Sequence, residues 1–180
     1  MEIILAAGAA VLLAVYWAVS TSNHFRRILI KIEEADSGIE VALTKRYDTL
    51  TKLLAVCKNY AKYEVETLTA VVRLRQSMPA AEKAAASQQM DEILRRVNII
   101  AEAYPELKTS ENYINLQNAI ADVEDHLQAA RRVYNMNVSS YNQAIAVFPA
   151  SIVAGLQHRT PWDFFAAENS KKDDVAMNFD

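Results

Sequence analysis

From Ile39 to Ala154 the chain runs for 116 residues without a glycine. The whole sequence has three, Gly8, Gly38 and Gly155, and its four prolines are Pro79, Pro105, Pro149 and Pro161. Hairpins depend on Asn-Gly, Asp-Gly or Gly-x turns, and none lies between two strand-like runs here. Phosphate-cradling loops need clustered glycines so that backbone N–H groups can approach the ligand. The chain is therefore expected to be all-α, cut by proline into long pieces, and most enzyme signatures are excluded with the loops that carry them.

The N-terminal piece sets the location. Ile3 to Val19 reads IILAAGAAVLLAVYWAV, and no charged side chain occurs from Ile3 through Phe25, a run of 23 residues. At about 1.5 Å per residue that run is about as long as a bilayer core is thick. Tyr16 and Trp17 stand near its end, where amphipathic rings favour the interface. A cleaved signal peptide needs a basic leading region and a small-x-small cleavage site; no Lys or Arg precedes the run, and the helical pattern continues past Ala18 and Ser20. Arg26, Arg27 and Lys31 follow directly, against anionic headgroups, so the positive-inside rule places the C-terminal body in the cytoplasm. The expectation is a single-pass protein of the cell (inner) membrane. A net charge of −3 gives no electrostatic case for nucleic acid. The lone Cys57 forms no internal disulfide and fits a reducing compartment.

Three further helical pieces follow. Between about Phe25 and Gln76, apolar or small residues recur at Ile28, Ile32, Ala35, Ile39, Ala42, Leu50, Leu53, Cys57, Ala61, Leu68 and Val71, with gaps spanning Arg46 and Glu64. This rod either continues the membrane helix or starts afresh, since Ser20–Asn23 hold no firm stop signal. Ser77 is expected to cap the next helix, Ala80 to Tyr104, whose start AAEKAAAS has little to bury. Another runs from Ser110 to Phe148, capped by Thr109 or Ser110, with the stripe Tyr113, Leu116, Ile120, Val123, Leu127, Ala130, Tyr134, Val138, Tyr141, Ile145 and Phe148. Short connections at 77–79 and 105–109 imply antiparallel neighbours. The expected architecture is an N-terminal transmembrane helix (residues 1–24), an elongated antiparallel bundle of three long helices plus a short helix near Ala150–Gln157 (residues 25–165), and a polar flexible tail (residues 166–180).

Three blocks carry a family likeness. Arg46-Tyr47-Asp48, then Leu50, Leu53, Leu54, Lys58, Tyr60, Ala61 and Glu64, resembles the first signature of LemA family proteins. Glu102-Ala-Tyr104-Pro105-Glu-Leu-Lys108 is similar to the second, and Ala130-Arg131-Arg132-x-Tyr134-Asn135, followed by Val138, Tyr141-Asn142, Ile145 and Phe148-Pro149, to the third. The closing Phe164-Phe165 also has a counterpart, and the order agrees from about residue 25 to 165. Thr51-Lys52 replace the family's Pro-Asn, and Asn59 and Tyr63 replace its Gly and His; losing the proline is expected to leave this helix more continuous. The resemblance implies a membrane anchor and an elongated helical bundle without an agreed reaction. Members often sit beside genes for membrane metallopeptidases, and one branch takes part in building magnetosome membranes.

Chemistry is hard to find. His24, His126 and His158 have no ligand partners at metal spacing beyond pairs such as Asp122/His126, and Cys57 on the apolar stripe reads as a small hydrophobe. No catalytic residue, metal or cofactor is expected. Arg131, Arg132, Tyr134 and Asn135 form the most tempting cluster. Asn135 and Asn142, seven apart, read either as polar layers fixing helix register or as a partner-binding ridge. Arg46-Tyr47-Asp48 could pair with Arg131, Glu124 or Lys45. Trp162, Phe164 and Phe165 read as a clasp on the bundle end or as a contact with membrane or partner. The family-motif residues expected to carry structure or interaction are Arg46, Tyr47, Asp48, Tyr104, Pro105, Lys108, Arg131, Arg132, Tyr134, Asn135, Tyr141, Asn142 and Pro149. Expected partners are membrane lipid along residues 3–23, further copies of the chain and a membrane protein; neither nucleic acid nor a small-molecule substrate is expected. A membrane-anchored scaffold is the first functional expectation. An accessory partner of a membrane-bound metallopeptidase, implied by the resemblance alone, is the second.

Overall fold

A computed structural model of the protein describes residues 1–62, 65 and 78–165. Among them every regular element is helical. α1 spans Glu2–Lys58, α2 Ala80–Ala103, α3 Pro105–Lys108, α4 Glu111–Ala146 and α5 Ala150–Leu156. The expected tail, Leu68, Val71 and the Ser77 cap lie outside the described residues.

α1 is one unbroken helix of 57 residues. The apolar run and the rod that follows are thus a single element: of the two alternatives the sequence leaves open, the helix continues through Ser20–Asn23. Its N-terminal turns are long and apolar enough to cross a membrane, and they are unburied: Ile3 is 85% exposed and Leu12 71%.

The rod does not continue unbroken to Gln76. It stops at Lys58, where Asn59 N–H bonds Val56 O and Tyr60 N–H bonds Cys57 O, both one residue tighter than an α-helix, before Ala61 N–H returns to Cys57 O. Asn59 is a weak helix former that favours turns, so the break comes without glycine or proline. Cys57, Ala61 and Val65 stay buried across it.

The chain packs as two units. One comprises residues 37–131 with Phe165. Its core holds Leu50, Leu53 and Cys57 of α1, Met90, Val97 and Ile100 of α2, Leu107 of α3, and Tyr113 and Ile120 of α4. α2 begins with Pro79 at the capping position and no side-chain cap. Its alanine-rich start, expected to bury little, buries Lys83, Ala86 and Ser87. The expected 105–109 connection is itself a helical turn: Pro105 sits in the first turn of α3, and Thr109 Oγ1 donates to Pro105 O at 3.1 Å.

The other unit comprises Met1–Asp36 and Arg132–Phe164. It buries Phe25, Ile28, Ile32 and Ala35 of α1, Tyr134, Val138, Tyr141 and Ile145 of α4, and Val153 and Ala154 of α5. The α4 stripe ends at Ile145. Phe148, its expected last member, is 76% exposed because the helix stops at Ala146 and the chain turns. After α5 the chain reverses: His158 takes φ 49°, His158 N–H bonds Gly155 O, and Arg159 N–H bonds Ala154 O. This is a Schellman stop with histidine where glycine is usual. It sets Arg159 over the Phe25 ring, 5.1 Å from the centroid.

Candidate functional site

Arg46 fills the gap in the α1 stripe. It follows Ala42 and Leu43 and precedes Leu50 at helical spacing, so its stem enters the core, and the residue is only 2% exposed. An arginine there must find partners, because an unpaired buried charge is costly. Two helices supply them. Arg46 Nη1 donates to Ser87 Oγ at 2.9 Å, and Nη2 is ion-paired with Asp91 of α2 and with Glu124 of α4, Oε2 at 3.0 Å. The planar guanidinium fork can serve such divergent acceptors at once, and a lysine ammonium cannot match that geometry. Arg131 Nη2 also donates to Ser87 Oγ, at 2.6 Å, while its guanidinium lies 5.0 Å from the Phe165 ring centroid. One α2 turn earlier, fully buried Lys83 faces Glu40 Oε1 at 3.7 Å.

The outer side of this cluster opens into a groove of about 430 Å³, lined by Arg46, Asp91, Arg95, Asn98, Gln117 and Glu124 among others. At one end, Gln117 Nε2 donates to Asn98 Oδ1 at 2.9 Å and to the Tyr113 hydroxyl at 2.8 Å. Burial pushes the Tyr113 phenol up, against the Gln117 hydrogen bond. Cys57 is pushed up to about 11 by burial, opposed by a backbone hydrogen bond, so it is a thiol at neutral pH and a poor nucleophile. Among the described residues no group of three His, Cys, Asp or Glu side chains is placed to hold a metal.

A second constellation lies in the other unit. Asn142 Nδ2 donates to Trp162 O at 3.0 Å, and its Oδ1 accepts from Trp162 N–H at 2.9 Å. The Tyr134 hydroxyl donates to Asp163 O at 3.3 Å. Burial raises the Tyr134 phenol, with Asp36 and Asp163 adding to the effect. Asn142 is directed at a returning strap of backbone, not at another helix's register.

These contacts join the blocks whose order carried the likeness: the first block's Arg46 and the third block's Arg131 meet at Ser87, and Tyr134 and Asn142 hold the segment before Phe164-Phe165. The sequence model of the LemA family matches residues 35–179.

The chain belongs to the LemA family.

Protein LemA of Metamycoplasma hominis is 30% identical over 141 residues, 76% of this chain and 64% of that protein, so the chain spans less than two thirds of that relative's length. Magnetosome protein MamQ of Magnetospirillum gryphiswaldense is 27% identical over 73 residues, 41% of this chain and 22% of that protein.

The LemA motif residues divide by environment. Arg46, Tyr134 and Tyr141 are buried; Tyr47, Tyr104, Arg131, Asn135 and Asn142 are half-buried; Asp48, Pro105, Lys108, Arg132 and Pro149 are exposed. Within the Arg131–Asn135 run the side chains reach different neighbours. Arg131 turns to Ser87 and Phe165, Tyr134 to Asp163, and Arg132 to solvent. Sequence reasoning missed Lys83, Ser87 and Asp91. Their signal was a polar row spaced four apart in an alanine-rich helix, which places all three on one face.

Proposed function

We propose that this LemA family protein is a single-pass, membrane-anchored helical scaffold that acts by self-association or membrane organisation and not as an enzyme. The observation that carries the reading is α1, whose exposed apolar turns run without a break into the helix that bears Arg46. Such a helix offers lipid one end and a packed body the other. The anchor occupies residues 3–23, and Arg26, Arg27 and Lys31 on its C-terminal flank favour a cytoplasmic body at the inner membrane. The buried Arg46 cluster ties α1 to α2 and α4, which suits a stiff body that presents surfaces. The groove beside it, with Arg95, Asn98 and Gln117 at its rim, is the interaction surface for another copy or for a membrane-protein partner. The likeness to a magnetosome protein favours membrane organisation.

Cross-linking in membranes, with identification of the linked chains, tests the proposal. Self-links through the groove are expected. A reproducible link to a metallopeptidase alone would instead make the chain an accessory subunit, and a monomer without links would end the scaffold reading. Orientation is tested by an impermeant thiol reagent on a cysteine added at the N-terminus of intact cells: labelling is expected, and protection would reverse the topology.

A further inference from the structure

We infer that α5 and the turn before it form a second lipid contact, lying in the headgroup layer beside the point where α1 leaves the bilayer. The inference rests on the anchor reading above. Phe148, Ile152 and Leu156 follow one another at four-residue spacing and are 76%, 53% and 78% exposed. Val153 and Ala154, on the opposite side of the same helix, are buried. A helix this short has one apolar face inside and a second pointing out, which a water-facing surface gives no reason for.

Its position supplies the occupant. Gln157 Nε2 donates to Ser22 Oγ at 2.9 Å, and Ala150 lines one cleft with Tyr16, Trp17, Ser20, His24 and Arg27. The helix that carries the outward stripe thus meets α1 at the end of the apolar run, beside its aromatic pair. Arg27, in the same cleft as Ala150, and its chain neighbour Arg26 are exposed, and Arg159 is held over Phe25. Exposed apolar side chains on a helix that has arginines at its base fit a leaflet with anionic headgroups: the stripe enters the acyl boundary and the guanidinium groups stay with the phosphates.

Single nitroxide labels at Phe148→Cys, Ile152→Cys and Leu156→Cys in the full chain, in nanodiscs of phosphatidylcholine and phosphatidylglycerol, test this. Cys57, buried and protonated, is replaced by alanine to keep labelling specific. Leu12→Cys marks the anchor, and Met136→Cys, on an exposed α4 position whose neighbour Asn137 bonds Lys31 O, marks water. The oxygen-to-nickel accessibility ratio is expected to be several-fold higher at the three stripe sites than at Met136, with Leu12 higher still. Stripe sites equal to Met136 while Leu12 stays lipid-buried would overturn the inference and leave the anchor standing. A water-like Leu12 would overturn the anchor and the inference with it. Spin–spin broadening at the stripe, showing a second copy there, would also overturn it.

Discussion

Asn142 and Trp162 exchange two hydrogen bonds, side-chain amide to backbone amide, at 3.0 and 2.9 Å. The pair reproduces between a helix and a returning strap what two strands make between themselves. It gives the third family block a task in folding: the strap that carries Phe164 and Phe165 is held by Asn142 and, one step along, by Tyr134.

Asn142→Ala should therefore release the strap. Two neutral hydrogen bonds at a partly exposed site are worth about 1–2 kcal/mol together. Hydrogen exchange at the Trp162 amide should quicken by about tenfold or more, as that energy implies. An unchanged rate would show that the strap is held elsewhere.

Arg46→Ala should destabilise the unit by about 3 kcal/mol, the low end for breaking a buried ion pair, because Asp91 and Glu124 keep roughly a quarter of their side-chain surface in water. Arg46→Lys should recover only part, having no fork to reach both carboxylates and Ser87. The triple change Arg46→Met, Asp91→Leu, Glu124→Leu should recover most of the loss. Denaturant unfolding in detergent measures all three, and a triple variant no better than Arg46→Ala would show that the charges do more than satisfy one another.

Cys57, with its pKa raised from 9.0 to about 11, should react with disulfide reagents at pH 8 about 100-fold more slowly than a free thiol from loss of thiolate alone. Since the folded pKa lies above the unfolded one, the stability tied to the neutral thiol is complete below pH 9 and drains away between pH 9 and about 11. Cys57→Ala should flatten that part of the stability profile.

Leu127 and Phe148 separate the real stripe from its apparent end. Leu127 is fully buried and Phe148 is 76% exposed. Leu127→Ala should cost about 2–5 kcal/mol, whereas Phe148→Ala should change thermal stability in detergent by less than about 0.5 kcal/mol. Equal losses would place Phe148 in the core.

Gly38 lies mid-helix without a positive φ, and a β-carbon there would meet the Ala130 β-carbon at 3.9 Å, an ordinary contact. Gly38→Ala should thus stabilise the chain by about 0.5–1 kcal/mol through the unfolded state. A fall in melting temperature would reveal a tighter approach to α4.

Helix type and order were legible because the stripes at Ile28–Cys57 and Tyr113–Ile145 are long and periodic, and because Pro105 and Pro149 fall where helices must turn. The core charges were not. Arg46 looked like a hole in its stripe because its partners lie far along the chain, on helices whose facing sides periodicity alone does not fix. Lys83 and Ser87 hid among alanines for the same reason. The stop at Asn59 escaped because asparagine only weakens a helix, and its effect depends on Cys57, Ala61 and Val65 finding the core on both sides. Asn142 was visible as a polar residue near the stripe, but its partner is a backbone group, which leaves no mark in side-chain patterns.

The Arg46 cluster also fixes a sequence of events during synthesis. Asp91 is 45 residues further along and Glu124, in the first half of α4, lies later still, so Arg46 lacks its full set of partners until Glu124 has left the ribosome. The apolar run of α1 is made well before that. Closure of the core thus comes after the apolar run has been made, and a nascent chain truncated before Glu124 should carry that run without a finished core.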